Sequence, residues 1–302
     1  MKKRFRSLFD RFYEAPRRFA GGPVLNLFGY HILRILFFNL AFYFRKKRIT
    51  EDEPSRAILS QILNDGVAVV PDFFPEDIFL KIKEECDNLN IEVVNERAPH
   101  IQRTSFVRDD RHNWAPVLEK YLSNNQVIND IASSLLRRDI LITPKVAVEK
   151  SFFHKEDLGK ETTDVRSDNL HFDVSYPTLI CFLYLNDIDE KNAAFTYVKG
   201  SHRLTLARLW MEYKMSLSFY WKWNKKQRER ETPEVSLEFV KKQGMEPTQL
   251  SGKRNTLVMA NTMGFHSRGK YLSTTPREIA YTAYRELESL KYWKRKFAAN
   301  KA

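Results

Sequence analysis

Asn169-Leu170-His171-Phe172-Asp173 sets an imidazole and a carboxylate two residues apart on a stretch that reads as a strand. Successive strand side chains point to opposite faces, so His171 and Asp173 project the same way. A second imidazole, His266, comes 93 positions after Asp173, and Arg277 lies 11 residues further on. Two His and one carboxylate on one face of a metal, with the other face open, is the ligand set of non-haem Fe(II) oxygenases. One strand end would supply two ligands and a distant strand the third. The open positions would accept a bidentate co-substrate and O2. The identity of Asp173 matters, because Gly or Ala there would leave a coordination position for halide. A carboxylate points to hydroxylation rather than halogenation. Arg277 fits a carboxylate clamp, since a guanidinium presents a planar fork that Lys lacks. It is in phase with Tyr281 and Ala283 on an alternating strand; the competing reading is a surface Arg on an edge strand. His31, His100, His112 and His154 have no comparable context.

These residues need a scaffold, and the pattern supplies one. A helix is expected over 55–63, broken at Asp65-Gly66 before the buried-type strand Val67–Val70. Pro71–Pro75 turns the chain into a second helix that runs to about Leu89. Residues 115–137 read as helix, and strand-like runs follow at 139–153, 178–185, 194–198, 255–260 and 277–285. Late strands joined by irregular connections imply a mainly β architecture with flanking helices, an antiparallel double-sheet barrel.

The 302-residue chain is 43% hydrophobic and 29% charged, a globular composition with room for one large domain or two. Its net charge of +12 is unevenly placed. Residues 1–50 hold twelve Lys/Arg against Asp10 and Glu14, so +10 falls there and +2 on the other 252 residues. Cys86 and Cys181 lie far apart in sequence, which suits a reducing compartment and no disulfide framework.

Within the basic segment, residues 23–44 are largely apolar and long enough for a spanning helix, but Asn26, His31, Arg34 and Asn39 interrupt them. The favoured reading is a helix lying in the membrane interface, with Lys/Arg on anionic head groups; the alternative is an ordinary helix packed on the body. Residues 203–230 interleave Lys/Arg with Trp210, Tyr213, Phe219, Tyr220, Trp221 and Trp223. They read either as a helical cap with solvated charges or as a second membrane contact or anionic-substrate lid. No nucleic-acid reader motif accompanies the basic residues. The expected organisation is a membrane-associating segment over 1–50 and a catalytic domain over 51–302, with a helical insertion at about 203–250.

The motifs together resemble the phytanoyl-CoA dioxygenase family of Fe(II)/2-oxoglutarate oxygenases, over roughly residues 57–288. The carrying stretches are Asn64–Pro71, Leu170-His171-Phe172-Asp173, Asn192-Ala193, Lys199-Gly200-Ser201-His202-Arg203, and the pair His266 and Arg277. Leu170, Ala193 and Lys199 depart from the family's usual aromatic, Gly and Pro. The resemblance implies a double-stranded β-helix, a cupin-like jelly roll. It implies Fe(II) held by His171, Asp173 and His266, with 2-oxoglutarate and O2 as co-substrates and Arg277 on the far carboxylate of 2-oxoglutarate. His202 would be structural. Arg268 stands where the family often has a small hydroxyl residue, so it would touch 2-oxoglutarate or an anionic substrate. Length, basic N-terminus and HxD…H pattern are also similar to the bacterial Kdo hydroxylases. That implies a peripheral enzyme on the cytoplasmic side of the inner membrane, hydroxylating the Kdo sugar of lipid A. The rivals are a fatty acyl-CoA or other lipid hydroxylase, and an inactive membrane-binding protein of the same fold.

Overall fold

A computed structural model describes residues 19, 22–45, 52–89, 101–103, 115–137, 146–151, 169–222 and 234–284. Expectations that fall on other residues, including His100, His112, His154, Trp223 and the whole basic cluster in 1–18, lie outside these ranges. Nine strands form two antiparallel sheets among the described residues. The larger sheet has the order β1-β7-β4-β9-β3-β2, from Val67–Val70, Leu257–Ala260, Leu179–Tyr184, Arg277–Tyr284, Val146–Ser151 and Ile101–Arg103. The smaller sheet has the order β6-β5-β8, from Pro247–Leu250, Phe195–Val198 and His266–Arg268. This is the expected double-stranded β-helix.

The register explains why the strands of the larger sheet read as nearly continuous apolar runs. On β9, Ile279 and Tyr281 face the second sheet and pack with Ala147, Tyr184, Phe195, Tyr197 and Val258. The alternate residues Ala280 and Tyr284 face outward and meet a layer of helices. Both faces are therefore buried, a condition that selects apolar residues at every position rather than every second one. The outer layer comprises α3 (Glu53–Asp65), α4 (Glu76–Asn88), α5 (Pro116–Leu118) and α6 (Gln126–Leu136). They contribute Ile62, Phe79, Ile82, Leu118, Ile128 and Ile131 to one core with Cys181, Leu183 and Met259.

The helix expected over 115–137 is two helices. After α5 a wide turn over Glu119–Ser123 closes with Asn124 N–H donating to the Glu119 carbonyl at 3.0 Å. The next helix restarts because the Asn125 side chain accepts from Ile128 N–H at 3.1 Å. The break at Gly66 is as expected: at φ 87° it ends α3, and a Cβ there would run into the Tyr197 ring.

The segment 23–44 is also two helices, α1 (Gly22–Leu27) and α2 (Tyr30–Tyr43), parted by Gly29 at φ 80°. Both pack on α7 (Leu206–Lys222), and a short α8 (Leu237–Lys242) follows. The helical insertion ends sooner than expected: β6 lies inside 203–250 yet pairs with β5 and sends Leu250 into the inter-sheet core.

Candidate metal centre

The site is built where the smaller sheet meets the segment 169–176. That segment is not the regular strand expected. It is extended chain tied by single bridges, with His171 paired to His266 on one side and to Glu234 on the other. His171 N–H donates to the His266 carbonyl at 2.9 Å, and His266 N–H returns the bond to His171 at 2.8 Å. Asp173 N–H donates to the Thr262 carbonyl at 3.1 Å. The alternation inferred for it nevertheless holds. Leu170 and Phe172 turn outward into a cluster with Phe265, Met211 and Val240. His171, Asp173 and His266 turn inward, with one nitrogen or oxygen of each within 4.8 Å of the others. His266 Nε2 and Asp173 Oδ1 are 3.9 Å apart.

The imidazole tautomers follow from the partners. His171 Nδ1 lies 2.8 Å from the Asn169 carbonyl and His266 Nδ1 lies 2.9 Å from the Gly264 carbonyl. A carbonyl only accepts, so each Nδ1 carries a proton, and in the neutral ring that leaves the Nε2 lone pair for a metal. Such backbone contacts also fix ring orientation, as is usual for metal-binding His. Gly264 is required here, because a Cβ would overlap the Tyr197 hydroxyl. Ser201 holds the next residue: its Oγ accepts from Phe265 N–H at 2.7 Å and donates to the Val198 carbonyl at 2.6 Å. The Lys199–Arg203 turn thus positions His266. In the same turn His202 is structural, as expected: Nε2 lies 3.1 Å from the Leu63 carbonyl, and burial lowers its pKa.

Behind the triad the inner wall is aromatic. Ring centroids step from Tyr281 to Phe182 at 5.9 Å, to Phe195 at 5.0 Å and to His266 at 5.6 Å. Arg277 is no surface residue. It is 3% exposed, and its Nη1 donates to Glu149 Oε1 at 2.8 Å. Arg268 Nη2 approaches the same oxygen at 3.4 Å, so Glu149 gathers both guanidiniums. Sequence reasoning missed Glu149. Its signal was available as one acid inside the otherwise apolar strand start Val146-Ala147-Val148, since buried carboxylates are rare without a partner. The trio carries one net positive charge, and Arg277 Nε is buried without a partner. A dianionic co-substrate with a free carboxylate suits that cradle.

Outside the triad lies a second buried cluster that the sequence did not announce. Arg208 Nε donates to Glu212 Oε1 at 2.9 Å, and Ser175 Oγ donates to Glu212 Oε2 at 2.6 Å. His31 of α2 lies 3.5 Å from the same carboxylate. Burial alone would raise the Glu212 pKa, but Arg208, His31 and Ser175 together bring it down to about 2. Burial lowers the His31 pKa despite Glu212, so its imidazole is neutral at pH 7. The Arg208 guanidinium also lies 5.1 Å from the Phe172 ring and 5.0 Å from the Phe265 ring, the chain neighbours of the triad residues.

Residues 62–241 match the model of the phytanoyl-CoA dioxygenase (PhyH) family, well over half of the chain. The chain belongs to the phytanoyl-CoA dioxygenase family. It is an Fe(II)/2-oxoglutarate-dependent oxygenase. The match to this dioxygenase family stops short of His266 and Arg277; the fold carries both back to His171 and Glu149. No curated protein matches the chain. Among solved structures, the epimerase SnoN in complex with Fe3+, alpha-ketoglutarate and nogalamycin RO is 14% identical, over 77% of this chain and 84% of that one, with a TM-score of 0.53. The apoform of EctD from S. alaskensis is 16% identical, over 91% and 89%, with a TM-score of 0.50. At such identity these likenesses speak for the shared fold. With all three donors present and convergent, nothing at the site favours a dioxygenase fold that has lost its chemistry.

Proposed function

We propose that His171, Asp173 and His266 are the protein ligands of Fe(II), and that Arg277 holds the far carboxylate of 2-oxoglutarate. The convergence of one lone pair from each imidazole with the Asp173 carboxylate carries this reading. Bound Fe(II), with 2-oxoglutarate and O2, supplies the oxidising power for inserting oxygen into an unactivated C–H bond. The protein's part is placement. The Asn169 and Gly264 carbonyls lock the two imidazoles in the ligating tautomer. Glu149 aligns Arg277 through Nη1 and leaves Nε for the co-substrate carboxylate. Arg268 adds a second cation to that cradle or meets an anionic substrate. The aromatic wall of Phe182, Phe195 and Tyr281 keeps the interior dry.

The substrate we propose is an anionic molecule held at a membrane, specifically the Kdo sugar of lipid A, met on the cytoplasmic side of the inner membrane. The +10 charge of residues 1–50 beside a nearly neutral body supports an anionic surface as partner. Among the described residues no helix is long and apolar enough to cross a membrane, so the association would be peripheral. Purified protein with Fe(II) and 2-oxoglutarate should add about 16 Da, one oxygen, to Kdo-lipid A while forming succinate. Succinate without a mass gain on Kdo-lipid A overturns the substrate. No succinate with any acceptor, and no Fe(II) bound, overturns the assigned ligands.

A further inference from the structure

The outer surface of α1 and α2 is apolar where a helix packed on a protein body is ordinarily polar. Along α2, Leu33, Leu36, Leu40 and Tyr43 recur at three- and four-residue spacing and are 44–68% exposed. The opposite stripe, His31, Arg34, Ile35 and Phe38, is buried against the body. Before α2 the chain also turns Val24, Leu27 and Phe28 outward, the last 79% exposed. No acidic residue occurs between Gly22 and Arg45.

The patch continues onto α7, nearly 190 residues away in sequence. Tyr213 donates its hydroxyl proton to the Leu27 carbonyl at 2.9 Å, and its ring stacks on Trp210 at 5.4 Å. Trp210 is itself 59% exposed. Cations border both ends. Lys214 Nζ sits 5.9 Å from the Trp210 ring, and Arg137 donates to the Tyr43 carbonyl at 2.9 Å while lying over the Tyr43 ring at 5.7 Å.

We infer that this composite face of α1, α2 and α7 seats the protein in the headgroup–acyl boundary of an anionic lipid bilayer. The inference rests on the membrane setting proposed above and gives it a surface and an orientation. Three observations choose a bilayer over a protein partner. The N-terminal segment concentrates +10 of the chain's +12 charge, which complements an anionic leaflet. The 14 residues of α2 reach only about 21 Å, too short to span, and its Arg34 and His31 point to the body rather than to lipid. The border pairs Trp and Tyr with Lys and Arg, the mixture that anchors proteins at membrane interfaces. The inner side of the same helix braces the site. Asn39 donates to the Ser175 carbonyl at 3.0 Å, and Phe38 packs on Tyr176 at 4.7 Å, two and three residues after Asp173. A lipid-held head group is thereby brought to the element next to the triad.

The test uses the full chain and vesicles of phosphatidylcholine alone or mixed with phosphatidylglycerol. Wild-type protein should sediment with the mixed vesicles, less so at high salt. Leu33→Glu, Leu36→Glu and Leu40→Glu together, and Trp210→Glu separately on α7, should each lower partitioning at least about tenfold. Leu80→Glu, an equally exposed Leu on α4, should bind as wild type does. Unfolding midpoints of the same preparations show that each variant is folded. Failure of the wild type to bind the mixed vesicles, or wild-type binding by the triple variant, overturns the inference. So does a wild-type dimer that binds no vesicles and becomes monomeric in the triple variant, which would make a second copy the occupant. Fe(II) binding and succinate formation are read in parallel: vesicle binding with no Fe(II) bound and no succinate with any acceptor keeps this surface and sinks the assigned ligands, while Fe(II) binding and turnover without vesicle binding does the reverse.

Discussion

Glu212→Gln should cost the protein about 3 kcal/mol at pH 7, and the cost should shrink as the pH falls. The carboxylate is 0% exposed and its Arg208 partner 2% exposed. Gln keeps the volume and the hydrogen bond to Ser175 but leaves the guanidinium buried without a counter-charge, and Arg208 Nη2 already lacks a partner. Breaking a buried pair from one side typically costs about 3–5 kcal/mol. The titration points the same way. The pKa falls from 4.5 in the unfolded chain to about 2 when folded. A depressed carboxylate stabilises above its unfolded pKa and loses that contribution as pH drops through the folded value. A fall from 4.5 to about 2 corresponds to about 3 kcal/mol at neutral pH and about 1 kcal/mol at pH 3. Urea unfolding of both proteins at the two pH values measures it. A difference under about 1 kcal/mol at pH 7, or one that does not narrow on acidification, refutes the assignment of Glu212 as the ionised centre of this cluster.

His171→Ala and Asp173→Ala should each reduce succinate formation at least about a thousandfold with little change in the unfolding midpoint, and retained turnover of either variant refutes the metal ligands. Arg277→Ala should raise the KM for 2-oxoglutarate about a hundredfold and leave kcat within a few-fold, read by co-substrate titration; an unchanged KM removes Arg277 from the cradle. Neither thiol should react with a disulfide reagent in the native protein. Cys86 is buried with its pKa pushed up to about 12, and burial raises that of Cys181 as well. Both should label fully in denaturant, and rapid native labelling of either would contradict their burial.

What could be read from the sequence was what neighbours in sequence decide. The apolar runs at 179–184 and 257–260 and the alternation of His171 and Asp173 are local signals, and the structure retains them. Strand β6 was not legible because Pro247-Thr248-Gln249-Leu250 buries only Leu250 on an edge. Glu149 went unseen because its partners, Arg268 and Arg277, are 119 and 128 residues away. The same is true of Glu212 and His31, which are 181 positions apart and meet only when α2 packs on α7. The apolar run of 23–44 was plain, but which side of it faces the body is set by Glu212, Ser175 and Tyr176, all distant in sequence.

These long-range contacts explain how a precise triad can rest on an irregular segment. The larger sheet is packed on both faces and is rigid, yet it supplies none of the three ligands. His171 and Asp173 sit on extended chain held from two sides. Inside, the paired backbone bonds to His266 fix the distance between the two imidazoles. Outside, Glu212 and Asn39 grip Ser175, and Phe38 grips Tyr176. Cutting the outer contacts frees Ser175 and Tyr176 on that side, with the Val235 N–H bond to the Leu170 carbonyl left to hold the segment's start, and a ligand set needs closer control than that. The N-terminal helices are thus part of the catalytic scaffold as well as its outer surface. A lesion in α2 that spares every exposed Leu but loosens Phe38 or Asn39 should weaken Fe(II) binding without changing how the protein meets lipid.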